Sequence, residues 1–214
     1  MMLCPASYVE RELKGKSPEA ICAKIRGMQR EMAHLKNQEE TYKEFEDVIV
    51  SPSPQVRIDV MRDYIKEARA YLAELGHDYP LSKVELRGKA FDENMKFIES
   101  ITVEYGGYFG GYETRKITHD GDKVVVDKQC SLIDPLENEK ALYEGMTWNG
   151  LLEDLSVIHM GEWKTKYEDL SILDGTQWSV DIEYSNGIKK KHYWGSNKFP
   201  YNFGRFMEIM EMER

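Results

Sequence analysis

Apolar residues in the first part of the chain recur every three or four positions, which is the spacing of one helix face. The first stretch contains Ile21, Ile25, Met28, Met32 and Leu35, and the second Met61, Ile65, Ala68, Leu72 and Leu75. Each stretch begins with a serine that can cap a helix and a proline suited to its first position, at Ser17-Pro18 and Ser53-Pro54. The pattern predicts one helix from about Pro18 to about Asp47 and a second that ends at Gly76.

The connection between these two helices is short and contains the sequence Ser-Pro-Ser-Pro at 51–54. A short connection makes neighbouring helices antiparallel. We therefore expect residues 1–96 to form a helical hairpin region. The two apolar faces suit a core, and they also make this hairpin a candidate surface for homo-oligomers or a partner.

From residue 97 the apolar pattern changes to strict alternation. Ile101, Val103 and Tyr105 fall on one face of a strand, and further strands are predicted at 112–118 and 123–129 around an Asp-Gly turn. The polar segment from Asp134 to Gly145 is expected to be a loop. Thr147 is expected to cap a helix that ends near Met160.

A second alternating strand, 178–184, is followed by Asn186-Gly187, a preferred two-residue hairpin turn. Residues 188–194 are predicted to return as the partner strand. Pro200 is then expected to open a closing helix.

The two parts echo each other, since Ser-Ile-Thr-Val-Glu-Tyr at 100–105 matches Ser-Val-Asp-Ile-Glu-Tyr at 179–184. One interpretation is a duplicated hairpin-plus-helix unit, and the other is chance, because alternating strands use few residue types. Under either interpretation residues 97–214 form an antiparallel sheet with helices on one face. The fold class is therefore α+β, with the helical hairpin first and the antiparallel α+β module second.

Charge is distributed unevenly along the chain, whose net charge is −9. Residues 1–96 contain 16 Lys/Arg and 17 Asp/Glu, whereas residues 97–214 contain 13 and 21. The acidic part repels phosphate backbones, which disfavours direct nucleic-acid binding. The charge serves solubility or forms an acidic face for a partner with a basic surface.

Three cysteines, Cys4, Cys22 and Cys130, lie far apart and form no metal-binding motif. This usage is typical of a reducing compartment. No apolar run is long enough for a membrane span, and the first residues do not have the pattern of a signal peptide. The sequence therefore predicts a cytoplasmic protein without a membrane segment.

The end of the chain combines a Trp-x-Val-x-Ile-x-Tyr strand, an Asn-Gly turn, and the sequence Gly-Ser-Asn-Lys-Phe-Pro at 195–200 before a closing helix. This pattern resembles the tails of uncharacterised bacterial proteins, many of them from gut Firmicutes and mobile genetic elements. The resemblance covers roughly the last forty residues. It implies an architecture and carries no activity.

The most unusual segment is Tyr-Gly-Gly-Tyr-Phe-Gly-Gly-Tyr at 105–112. It lacks the spacing and the lysine of a phosphate-binding loop. It is either a flexible or bulged hairpin loop or an aromatic tip that inserts into a partner. In the second case Tyr108, Phe109 and Tyr112 are the contact residues.

A basic run, Lys-Lys-Lys-His at 189–192, offers a second candidate contact through Lys189 and Lys191. Alternation places these two lysines on one face of a strand and Lys190 and His192 on the other. Lysines that protect an edge strand, or that pair with carboxylates on neighbouring strands, explain the run equally.

The five histidines and the cysteines show no spacing for a metal, and no nucleophile motif occurs, so the sequence predicts no cofactor, no metal and no motif-based catalytic site. Glu104 and Glu183 hold matching places in the two echoed strands, where a twofold arrangement could bring them together as acid and base.

We therefore expect a non-catalytic protein that binds a macromolecular partner, most concretely a mobile-element inhibitor whose acidic part covers a basic surface of a host defence complex, in the manner of an anti-CRISPR protein. The alternatives are an enzyme with an acid/base site on the sheet and a structural protein that self-assembles through its N-terminal helices.

Overall fold

The computed structural model describes residues 4–40, 51–132, 139–172 and 174–212, with side chains for all of them except Ala6 and 139–144. The chain divides into two compact units, Met1–Ser82 and Lys83–Arg214. The sequence places the boundary between residues 96 and 97 instead. The difference arises from a helix at Lys83–Asn94, whose Phe91 is buried in the core of the second unit.

The first unit is an antiparallel helical hairpin, as predicted. Its helices are α1 (Pro5–Tyr8, continued by a π-helical turn at Val9–Leu13), α2 (Pro18–Glu40) and α3 (Pro54–Glu74). The hydroxyls of Ser17 and Ser53 accept hydrogen bonds from backbone N–H groups in the first turns of α2 and α3, which confirms both predicted caps. The predicted end of the first helix near Asp47 lies outside the described residues.

The N-terminal segment closes the hairpin on one side. The Tyr8 ring stacks on Tyr64 of α3 with 4.1 Å between ring centroids, and its hydroxyl contacts Met28 of α2. Leu13 is completely buried. Burial of the Tyr8 phenol, with Glu12 nearby, raises the pKa of Tyr8 above its ordinary value.

The second unit is built on a seven-stranded sheet with the order β4-β3-β2-β1-β6-β7-β5. The strands are β1 (Ile98–Gly107), β2 (Gly111–Asp120), β3 (Lys123–Cys130), β4 (Glu139–Thr147), β5 (Lys166–Glu168), β6 (Thr176–Tyr184) and β7 (Lys191–Ser196). Every pair is antiparallel except β5–β7. The fold class α+β is confirmed.

The two echoed strands, β1 and β6, are neighbours at the centre of this sheet. Ser100 is opposite Glu183, and Glu104 is opposite Ser179. The two copies of the motif therefore pair antiparallel to each other, the start of one against the end of the other. The hairpins β1–β2 and β6–β7 thus surround a local pseudo-twofold axis. The hydroxyl of Ser100 donates a 2.8 Å hydrogen bond to the Glu183 carboxylate.

Helices cover one face of the sheet and bury its alternating apolar residues. They are α4 (Lys83–Asn94), α5 (Trp148–Ser156) and α6 (Phe203–Ile209). The core contains Ile101 and Val103 of β1, Val180 and Ile182 of β6, and Phe206 of α6. The Thr147 hydroxyl accepts from the Gly150 N–H at 3.0 Å, which confirms the predicted cap of α5.

Three local predictions for the second unit are wrong. The segment around 139–145 is part of strand β4 rather than a loop, because its backbone pairs with β3. Residues 185–190 connect β6 to β7, so Asn186-Gly187 is not a two-residue turn. Helix α5 ends at Ser156, before the predicted end near Met160.

Candidate protein-binding surface

Several loops of the second unit lie at the same end of the sheet. β1, β3, β5 and β7 run toward this end, and β2 and β6 start from it. Consequently the β1–β2 turn, the residues after β3 and the loop from β5 to β6 meet at the same end of the sheet.

The β1–β2 turn presents the two aromatic residues that the sequence singles out. Gly107 is opposite Gly111, which leaves residues 108–110 as a tight turn. The side chains of Tyr108 and Phe109 are 84% and 81% exposed, and their rings pack edge to face with 5.3 Å between centroids. Exposed aromatic side chains of this kind are good interface anchors because they present a large apolar area with little conformational freedom to lose.

Two positions next to this turn, Gly106 and Gly111, require glycine because other atoms of the protein lie too close for a Cβ. A Cβ on Gly106 would collide with the carbonyl oxygen of Gly111. At Gly111, whose φ is +72°, a Cβ would lie 2.6 Å from Cγ of Leu132. The glycine pairs therefore shape the turn, and Leu132 lies directly over the start of β2.

The loop between β5 and β6 is attached to the end of β7. The Asp169 N–H donates to the Ser196 carbonyl at 3.0 Å, and the Asn197 side chain donates to the Ile172 carbonyl at 3.3 Å. Hydrogen bonds from the Ser171 hydroxyl and N–H hold the pKa of Asp169 below its ordinary value. These contacts hold the neighbouring apolar residues Leu170 and Ile172 at the surface.

We call the exposed apolar side chains at this end of the sheet the apolar rim. It consists of Tyr108, Phe109, Leu132, Leu170 and Ile172. Leu132 and Leu170 are 71% and 84% exposed, which is unusual for leucine. Sequence reasoning identified only the aromatic pair. The other three are isolated apolar residues in loops, which nothing in the sequence distinguishes from ordinary loop residues.

The remaining predicted contact residues lie in different places. Tyr112 is half-buried at the start of β2, beside the turn. Lys189 and Lys191 are exposed at the far end of β7, about 16 Å along the strand from Ser196 at the rim. The structure therefore brings Tyr108, Phe109 and Tyr112 together and does not bring the two lysines to them.

The rest of the basic run contacts a neighbouring strand. Asp181 on β6 accepts from His192 at 2.7 Å and from Lys190 at 3.1 Å. Lys190 and His192 therefore share a face, as alternation predicts, and pair with a carboxylate. This leaves Lys189 and Lys191 as the lysines of the run with no ion pair among the described residues.

Glu104 and Glu183 do not form an acid/base pair. Each is opposite a serine of the other strand, and they lie four strand positions apart, which is about 13 Å. Both carboxylates are exposed on the face without helices. Two carboxylates at this separation do not act on the same bond.

Within the described residues, no group of three or more metal-ligating side chains comes together, and no helix is long and apolar enough to cross a membrane. No protein-family model matches the chain, and neither a curated protein nor a solved structure matches it.

Proposed function

We propose that this protein acts by binding another protein through the apolar rim. The observation that carries the proposal is the collection of five exposed apolar side chains at one end of the sheet of the second unit. Contiguous exposed apolar surface typically marks an interaction site. The hydrogen-bonded loop and the steric fit of the glycines mean that the surface is largely pre-formed, which reduces the entropy lost on binding.

The charge of the chain supports a partner with a basic surface. Residues 97–214 contain eight more acidic than basic residues, counted as 21 against 13. An acidic protein that occupies a basic nucleic-acid channel inhibits by exclusion and needs no bond chemistry. This is the form of partner binding that we propose, an inhibitor of a nucleic-acid-binding defence complex.

A photo-crosslinking experiment tests the contact surface. In one variant a benzophenone amino acid replaces Phe109. In a matched control it replaces Ile188, which is exposed in the connection from β6 to β7, at the opposite end of the sheet from the rim. We expect a discrete adduct after illumination in the native host from position 109 and not from position 188. Identical adducts from both positions would contradict the proposal, and an adduct between two copies of the chain would indicate self-assembly instead.

The captured partner then allows two quantitative checks. Changing Tyr108 and Phe109 together to serine should weaken binding at least tenfold, whereas Ile188→Ser should change it less than twofold. Raising the salt concentration from about 0.05 to about 0.5 M should weaken association with a basic partner, because screening reduces charge attraction. Affinity that is independent of salt would remove the charge-based part of the proposal.

A further inference from the structure

The helix-covered side of the sheet contains a cleft that is separate from the residues of the apolar rim. Its volume is about 180 Å³. The cleft is lined mainly by apolar side chains of β2, β3, α5 and the end of α6, together with Met146. These side chains are Ile117, Val124, Val126, Met146, Leu151, Ile209 and Met210. An apolar cavity of about 150 Å³ is large enough to take up benzene.

Arg115 places a guanidinium on the lining of this cleft. Its side chain is 14% exposed, and two contacts orient it: Nε pairs with the Glu113 carboxylate, and Nη1 donates to the Met210 carbonyl at 2.9 Å. Arginine carries five N–H donors, so these two contacts leave the N–H groups of Nη2 without a partner among the described residues. An N–H of Nη2 can therefore donate a charge-assisted hydrogen bond to one oxygen of a carboxylate.

The charges around this position balance one another before a ligand binds. Glu113 is shared by Arg115 and Lys128, whose Nζ lies 3.4 Å from it. The cleft lining itself carries two cations, Arg115 and Lys128, and one carboxylate, Glu211. With Glu113 included, two cations and two carboxylates surround the cleft, so a ligand with one charged end depends on the hydrogen bond from Arg115 and on burial of its apolar body.

We propose that the cleft binds a small monocarboxylate with an apolar body of about five carbons. The carboxylate accepts a hydrogen bond from Nη2 of Arg115, and the hydrocarbon lies against Val126, Leu151 and Ile209. Hexanoate represents this class of ligand. A ligand of eight heavy atoms is expected to bind with a Kd on the order of 1 mM or tighter.

The test is a titration of the full chain, labelled with ¹³C in the methionine methyl groups. Hexanoate should shift the Met146 and Met210 signals saturably and leave the Met61 signal of the first unit unchanged. Hexan-1-ol, which has the same chain without the charge, should bind at least tenfold more weakly. Equal affinity for the alcohol, or no saturable shift at concentrations well above the expected Kd, would overturn the proposal.

Three variants complete the experiment. Arg115→Gln should weaken hexanoate binding at least tenfold, and Val126→Phe should abolish it by filling the cleft. Lys116→Gln is the matched control, since Lys116 is adjacent in sequence and exposed on the other face of β2. Unchanged binding in either cleft variant would overturn the proposal. Because the comparison between hexanoate and hexan-1-ol uses the unaltered protein, it remains decisive even if a variant does not fold.

Discussion

At the residue scale, Asn202 is a polar side chain inside an apolar core. It is 5% exposed, its Oδ1 accepts from the Trp163 indole N–H at 2.9 Å, and its Nδ2 donates to the Ile158 carbonyl. The amide thus satisfies two groups that would otherwise be buried without partners. It also joins the segment after α5 to the start of α6.

We predict that Asn202→Ala lowers the free energy of unfolding by about 3 kcal/mol, because it leaves a buried donor and a buried acceptor unpaired. Urea unfolding followed by tryptophan fluorescence measures the change. Asn149→Ala, at an exposed position of α5, is the control and should alter stability by less than about 0.5 kcal/mol. Equal effects of the two substitutions would show that the Asn202 amide contributes nothing specific.

Tyr184 presents the opposite case, a buried hydroxyl without a hydrogen-bond partner among the described residues. Burial raises the pKa of Tyr184 to about 12. The folded protein therefore retains a proton that the unfolded chain loses near pH 10, so stability falls as the pH rises from about 10 to about 12.

We predict that Tyr184→Phe raises the free energy of unfolding at pH 7 by about 1 kcal/mol, since it removes an unsatisfied buried group. The variant should also lose less stability than the unaltered protein above pH 10. Urea unfolding at pH 7 and pH 11 measures both effects. A loss of more than about 1 kcal/mol at pH 7 would mean that the hydroxyl has a favourable contact.

At the scale of elements, the β1–β2 hairpin combines a fixed backbone with exposed anchors. Gly106→Ala should destabilise the protein by about 2 kcal/mol or more, because the new Cβ collides with the Gly111 carbonyl. Gly110→Ala is the matched control, since a Cβ there has no atom within 4 Å. Thermal unfolding compares the two. Equal stability of both variants would indicate that the hairpin shifts without cost.

The paired strands β1 and β6 show how local sequence and long-range pairing differ. Alternation alone predicts both strands and the faces they bury, and the structure confirms Ile101, Val103, Val180 and Ile182 as core. Alternation does not predict which strand lies beside which, because the hydrogen bonds that decide it join residues about eighty positions apart.

At the scale of the whole molecule, the second unit encloses its own core. Every residue of the main apolar cluster lies between Phe91 and Met212. All four tryptophans, Trp148, Trp163, Trp178 and Trp194, also belong to this unit. Near-ultraviolet circular dichroism and tryptophan fluorescence therefore report on the sheet unit.

We predict that a fragment of residues 83–214 folds on its own and reproduces the tryptophan signals of the full chain, because its apolar residues are buried against one another. Near-ultraviolet circular dichroism and cooperative thermal unfolding check this. A fragment of residues 97–214, which lacks Phe91 of α4 and Met95 just after it, should be less stable by several kcal/mol. Equal stability would show that the unit begins at residue 97.

The apolar rim illustrates the limit of sequence reasoning for the candidate site. The glycine-flanked aromatic pair is visible in the sequence because its composition is unusual. Leu132, Leu170 and Ile172 carry no such signal, since isolated apolar residues in loops are common. They become part of one surface only because the strand order places three separate loops at the same end of the sheet.

The sequence by itself determined the helical hairpin, the main strands and the caps of α2, α3 and α5, because these follow from local periodicity and from side chains that bind nearby backbone groups. The tertiary structure alone decided the pairing of β1 with β6, the strand at Glu139–Thr147, the rim and the Arg115 cleft. Each of these depends on contacts between residues that are distant in the chain. Such contacts are set by how the layers pack, and residue spacing along the chain does not record them.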